Sequence, residues 1–173
     1  MNRNVEIKAR VADPAGLAER TRSIADEGPF EIQQTDTFFV CDNGRLKLRV
    51  FSPDRCELIF YRRANVEGPK KSQYVIARGN EPATLLEALT LAYGQAGRVV
   101  KHRTLYRVGQ TRIHLDQVEG LGNFMELEVV LRDGQSNSSG ASIASEIMQQ
   151  LGVQETDLID KAYVDLIGEP VRP

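Results

Sequence analysis

Charged residues recur at every second position in several short stretches of this 173-residue chain, a spacing that lines them up on one face of an extended strand. In Asn4-Val5-Glu6-Ile7-Lys8-Ala9-Arg10-Val11, the residues Asn4, Glu6, Lys8 and Arg10 share one face, and Val5, Ile7, Ala9 and Val11 share the other. The same alternation places Arg45, Lys47 and Arg49 together, then Lys101 with Arg103, then Arg112, His114 and Asp116, and finally Glu126 with Glu128. If one sheet carries all these faces, many cations surround a few carboxylates. Lys and Arg suit phosphate oxygens. Two glutamates at i and i+2 can reach one hard cation or an adjacent pair. The chemistry such a face could perform is the binding of a metal-bound polyphosphate.

The elements that must position these residues can be read from turn and capping signals. Asp13 and Pro14 start a helix expected over residues 14–27, and Gly28 stops it. Strands are expected over residues 35–40, 45–51, 57–63 and 72–77, with Asp42-Asn43-Gly44 as a hairpin turn and Pro53-Asp54 as another. A second helix is expected over 82–95, with Leu85, Leu86, Leu89 and Leu91 inside. Strands over 99–106, 111–118 and 124–131 have connectors short enough for an antiparallel meander. Residues 133–139 read as a polar loop, and helices over 141–151 and 156–167 end the chain. About eight strands with helices between them suggest an antiparallel sheet that closes, with helices over the apolar outer faces and charges lining a lumen.

Composition limits the alternatives. A hydrophobic content of 41% and a charged content of 27% fit one soluble domain with a core of its own. The apolar runs are too short to span a bilayer and the first residues do not form a secretory signal, so a cytoplasmic location is expected. Cys41 and Cys56 lack metal-ligand spacing and read as reduced thiols. A net charge of −2 argues against general nucleic-acid coating, so no nucleic-acid partner is expected and any basic site must be segregated. Dinucleotide, P-loop, zincin and Ser/His/Asp signatures are absent from the sequence. His114 shows no evident partner and reads as a packing or hydrogen-bonding residue. His102 points to the opposite face, and Tyr74 and Tyr163 either close the ends of the lumen or simply pack.

The opening segment resembles the ExExK signature of the CYTH superfamily, the triphosphate tunnel metalloenzymes, with Asn4 where the signature has its first acid. It is joined in order by Gly44-Arg45-Leu46-Lys47-Leu48-Arg49, Lys101-His102-Arg103, Thr111-Arg112-Ile113-His114-Leu115-Asp116, Gly120-Leu121-Gly122-Asn123-Phe124-Met125-Glu126-Leu127-Glu128 and Ala162-Tyr163-Val164-Asp165-Leu166. The late glycine-rich stretch and Tyr163 look most like the bacterial class IV adenylyl cyclase branch.

That resemblance implies an α+β fold, an eight-stranded antiparallel β-barrel with helices packed outside, as a single CYTH domain over residues 1–173. It implies Mg²⁺ or Mn²⁺ held by Glu6, Asp116, Glu126 and Glu128, with catalytic roles for Glu6 and Lys8. Lys8, Arg10, Lys47, Arg49, Arg63, Lys70, Lys101, Arg103 and Arg112 would face the phosphates, repelling one another when no ligand is bound. The implied reaction is conversion of ATP to cyclic AMP and pyrophosphate. The alternatives are hydrolysis of tripolyphosphate, thiamine triphosphate or a nucleoside triphosphate, and noncatalytic triphosphate binding. A homodimer is left open, and no membrane partner is expected. Asn4 offers an amide oxygen in place of a carboxylate, which weakens the expected metal affinity at that end.

Overall fold

The computed structural model of the chain describes residues 2–64 and 67–168. Its elements run β1 (Asn2–Arg10), α1 (Pro14–Ile24), β2 (Glu27–Phe39), β3 (Arg45–Ser52), β4 (Arg55–Arg63), β5 (Lys70–Gly79), α2 (Pro82–Tyr93), β6 (Gln95–Val108), β7 (Thr111–Val118), β8 (Gly122–Val130), α3 (Asn137–Gln150), a 3₁₀ turn (Glu155–Asp157) and α4 (Tyr163–Ile167). The strands form a closed barrel in the order β1-β5-β4-β3-β2-β6-β7-β8, and every pairing is antiparallel. The fold is therefore the expected α+β barrel with outer helices.

The main core lies outside the barrel, because the inward positions are largely polar. Val5, Ile7, Ala9, Ile113, Met125, Leu127 and Val129 point outward and pack with Leu17 of α1 and Ala144, Ile147 and Leu151 around α3. Leu85, Leu86 and Leu89 of α2 cover Phe39, Leu48 and Cys56. Leu91 was expected with them but is 81% exposed. Six residues after Leu85 it has turned about 240° around the helix axis, off the buried stripe.

Other expectations shift at their edges. The first helix stops at Ile24 because β2 already begins at Glu27, earlier and longer than expected. Asp13 caps α1 by accepting from the Gly16 amide at 3.0 Å. Strands β5 and β6 are also longer than their alternation showed. The loop over 133–139 is partly helical, since Ser136 accepts from the Ser139 amide at 3.1 Å and so starts α3 at Asn137. The helix expected over 156–167 is instead the 3₁₀ turn and α4, joined by extended chain. There the Ile159 amide donates to the Lys8 carbonyl at 3.0 Å and Leu158 bridges Ala9. That chain crosses one end of the barrel. An apolar plug of Phe38, Val99, Val118, Phe124, Ala162, Tyr163 and Val164 fills that end.

Candidate active site in the barrel lumen

Alternation along the strands drives Asn4, Glu6 and Lys8 of β1, Lys47 and Arg49 of β3, Arg63 of β4, Lys101 and Arg103 of β6, Arg112 and His114 of β7, and Glu126 and Glu128 of β8 onto the wall of one cavity. Its volume is about 340 Å³, within the range of small-ligand sites. Cross-strand register sets them in rows. Glu6 lies beside Glu128 and Glu128 beside Arg112, while Lys8 lies beside Glu126 and Glu126 beside His114.

The lumen cations are matched to acids. Lys8 Nζ lies 3.2 Å from Glu126, Arg63 lies 3.3 Å from Glu6 and Arg112 lies 2.8 Å from Glu128. Arg103 contacts both Asp116 at 2.7 Å and Glu126 at 3.0 Å. The mutual repulsion expected of an empty tunnel is thus offset by pairing within the lumen.

Three expected phosphate or metal contacts, and one further cation of the charged face, fall elsewhere. Asp116 stands behind the cavity wall, where its oxygens accept from Lys101, Arg103 and the Tyr163 hydroxyl. It orients cations there rather than presenting a free ligand. Arg10 is exposed, with its guanidinium over the outer side of the Phe124 ring at 5.4 Å, because Phe124 fills the barrel at that level. Lys70 is buried and donates to the Asp160 carbonyl at 3.0 Å, off the cavity wall. Arg45, on the proposed face by parity, pairs with Asp165 of α4 at 2.7 Å.

Alternation alone missed Asp36. It is buried on the inner face of β2 and accepts from Lys47 and Arg49 at 2.8 Å. Its inward neighbours Gln34 and Phe38 differ in polarity, so β2 carries no charged stripe to flag it. His114 also has carboxylate neighbours that the sequence did not show, since its Nδ1 lies 3.8 Å from Glu126 and 3.9 Å from Glu128. Tyr163 closes the tunnel: its ring lies under Lys8 at 4.0 Å and Lys101 at 4.8 Å. Tyr74 lies on the cavity wall.

Burial and charge together set the protonation. Burial pulls Lys8 down to about 8 against the attraction of Glu126, and pulls Lys47 down to about 8 with help from Arg49. Burial pushes the Glu6 carboxyl up; Arg63 opposes this, while Glu128 and Glu126 add to it. Burial would also raise Glu126, but Lys8, Lys101 and Arg103 prevail and hold it well below the usual carboxylate range. Burial and then Arg103 lower His114, which favours its neutral form.

The fit to a divalent cation can be judged from these residues. One donor atom each from His114, Glu126 and Glu128 lies within 4.8 Å of the others. Asn4 Oδ1 is buried without a hydrogen-bond partner on the same wall. The donor set suits a metal ion.

The two ends of the lumen differ. At the closed end Lys8 Nζ reaches the Lys161 carbonyl at 3.4 Å beside Tyr163. At the other end the half-buried Ile32, Phe51, Ile76 and Leu105 line the cavity beside the exposed Arg78 and Arg107. This makes a mouth that is apolar inside, with a rim where Arg78 pairs with Glu57 and Arg107 with Glu27.

Comparison with known proteins agrees with this geometry. The sequence profile of the CYTH domain matches residues 2–163. Adenylate cyclase CyaB of Aeromonas hydrophila is 24% identical over 170 residues, covering 92% of this chain and 85% of its own. A Methanocaldococcus jannaschii protein with a provisional adenylate cyclase label is 23% identical over 171 residues, covering 95% of this chain and 98% of its own. A solved structure from Pyrococcus horikoshii has a TM-score of 0.84 at 20% identity, covering 96% of this chain and 99% of its own. A Hippeastrum protein studied as an adenylyl cyclase, whose dominant activity is a triphosphatase, has a TM-score of 0.65 at 16% identity and covers 96% of this chain and 94% of its own. Both structural likenesses concern the fold. Among the described residues, no helix is long and apolar enough to cross a membrane.

Proposed function

Because the chain belongs to the CYTH domain family, we propose that it is a metal-dependent enzyme acting on an organic triphosphate, converting ATP to cyclic AMP and pyrophosphate. The observation that carries this reading is the order of groups along the lumen. Cations crowd the closed end, the His114, Glu126 and Glu128 cluster follows, and the mouth is apolar. A triphosphate entering tail first sets its β and γ phosphates among Lys8, Lys47, Arg49, Lys101 and Arg103. Its α-phosphate then lies by the carboxylates, and its organic group lies among Ile32, Phe51, Ile76 and Leu105. Inorganic tripolyphosphate has no use for that apolar mouth.

In this reading the ribose 3′-oxygen attacks the α-phosphorus in line. Its O–P bond forms as the bridging α–β bond breaks, and pyrophosphate leaves carrying the bond electrons. The proton of the 3′-hydroxyl passes to Glu6, the lumen acid whose carboxyl burial holds above the usual range. Lys8 and Lys101 meet the charge that develops on the leaving pyrophosphate. Both are already oriented, by the Tyr163 ring on one side and by acids on the other. Glu126 and Glu128 are the residues that would hold the divalent cation, which when bound supplies positive charge at the α-phosphate and acidifies the attacking hydroxyl.

One observation favours a second reading, hydrolysis of a terminal phosphate. Asn4 leaves the entry strand with one carboxylate, Glu6, which fits a site with a single strong cation. The test is to incubate the purified protein with ATP, tripolyphosphate or thiamine triphosphate, each with Mg²⁺ or Mn²⁺, and to identify the products. Cyclic AMP with pyrophosphate supports the cyclase. Orthophosphate release replaces it with the hydrolase, and tight binding without turnover replaces both with a binding module.

A further inference from the structure

We infer that His114 is a direct ligand of the divalent cation, making this a mixed nitrogen and oxygen site that prefers Mn²⁺ and later first-row ions to Mg²⁺. The inference rests on the reading that the tunnel holds a divalent cation, and it adds which donors hold that ion and which ion they select. It starts from a side chain that the mechanism above does not use.

His114 is 5% exposed, and its Nδ1 has no hydrogen-bond partner. A buried ring nitrogen without a partner is costly, and buried polar groups are almost always satisfied. This one is aimed at carboxylates: Glu126 Oε2 lies 3.8 Å away and Glu128 Oε1 3.9 Å away. Those distances are too long for hydrogen bonds. They suit donors around one ion, since bonds of about 2.0–2.6 Å place adjacent ligands about 3–3.7 Å and opposite ones about 4–5 Å apart, and these separations fall between the two. The donor atoms of the three residues all lie within 4.8 Å of one another.

The backbone makes this arrangement rigid. His114 and Glu126 are directly opposed across β7 and β8, and Glu128 follows on the same face of β8. Both oxygens of Glu126 already meet cations, Oε1 at Lys8 and Oε2 at Arg103, whereas Glu128 meets Arg112 through Oε2. Glu128 Oε1, 3.9 Å from His114 Nδ1, is thus left on the cluster side.

A neutral imidazole has little to offer Mg²⁺, which keeps oxygen ligands and waters. Affinity for a nitrogen donor rises along the first transition row from Mn²⁺ onward. His114 also answers the loss of an acid at Asn4: a neutral donor from β7 fills a coordination position without adding charge.

The measurement is pulsed electron paramagnetic resonance of Mn²⁺ in the full-length protein, with Mn²⁺ alone and with inorganic tripolyphosphate. Tripolyphosphate contains no nitrogen, so any ¹⁴N modulation comes from the protein. Labelling histidine with ¹⁵N in the unmutated chain should replace the ¹⁴N pattern by a ¹⁵N one. The chain's other histidine, His102, is exposed and pairs with Glu31 on the outer face. His114→Gln, with folding checked by circular dichroism, should abolish the coupling and lower the preference for Mn²⁺ over Mg²⁺ by about tenfold or more, the scale on which a metal site answers to one of its fixed partners. Bound Mn²⁺ with no histidine coupling, or coupling that persists in His114→Gln, overturns the assignment and leaves the metal reading standing. If no Mn²⁺ binds with or without tripolyphosphate, the metal reading itself falls, and the inference falls with it.

Discussion

Glu126 stands between Lys8 at 3.2 Å and Arg103 at 3.0 Å, so it serves two tasks that substitution can separate. As a metal ligand it loses its charge in Glu126→Gln, and metal-dependent turnover should fall to background. As a counter-ion it leaves two buried cations under-compensated. We therefore expect the ligand-free variant to be less stable by about 1–3 kcal/mol, measured by thermal or urea unfolding. Glu128→Gln should cost less stability, because its partner Arg112 is about a third exposed. Equal destabilisation in the two variants would show that the lumen pairs do not carry this weight. Lys47 gives a test by pH. Its ammonium titrates at about 8 in the fold against an ordinary 10.5, because burial and Arg49 disfavour the charge. Triphosphate binds the protonated form, so affinity for tripolyphosphate should be full below pH 8 and fall as pH rises through it. Stability runs the other way. Between about pH 8 and 10.5 the unfolded chain keeps a proton that the folded chain has released, so this residue's contribution to folding improves as pH rises. Lys47→Met should weaken both trends in calorimetric titrations and melting curves at pH 7, 8 and 9.

At the scale of elements, outer helices and inner charges obey separate rules. Leu48 is fully buried beneath α2, and Leu48→Ala should cost about 2–5 kcal/mol. Leu91 lies on the same helix but in solvent, and Leu91→Lys should change stability by no more than about 0.5 kcal/mol. Unfolding curves of the two variants decide whether α2 is docked as described. Period-2 alternation revealed the inner faces of β1, β3, β6, β7 and β8, because charge and apolar residues separate cleanly there. It could not show how far along the tunnel a side chain sits. Arg10 shares the parity of Lys8 yet lies beyond the apolar plug, and Asp116 shares that of His114 yet stands behind Lys101 and Arg103. Asp36 escaped notice for the converse reason, since one acid among Gln34 and Phe38 makes no pattern. The last segment misled because its apolar spacing suits a helix, while the need to cross the barrel end holds residues near 159 extended on the Lys8 carbonyl.

For the whole molecule, closure is made by strands far apart in sequence. β1 pairs with both β5 and β8, so the lumen exists only when the chain's beginning and late strands have met. A ligand that binds this assembled lumen and not the unfolded chain must stabilise the whole barrel. Tripolyphosphate at about 100 times its dissociation constant should add about 2.7 kcal/mol, read as a rise in melting temperature that shrinks as salt is added. No shift at low salt would mean that the lumen cations do not hold a polyphosphate.

The plugged end also sets an order of events. Ala162 and Tyr163 line the inner end of the cavity, and Lys8 is tied to the Lys161 carbonyl there, so traffic must use the mouth. In a reaction that splits the chain of phosphates at its α-phosphorus, pyrophosphate is the inner product and the cyclic nucleotide the outer one. The outer product has to depart first. Pyrophosphate should therefore inhibit competitively against ATP, because both seek the emptied tunnel. Cyclic AMP should inhibit noncompetitively, because it rebinds to a tunnel still holding pyrophosphate. Steady-state inhibition patterns with the two products read that sequence directly, and the reverse pattern would mean that pyrophosphate has a way out through the end that Tyr163 occupies.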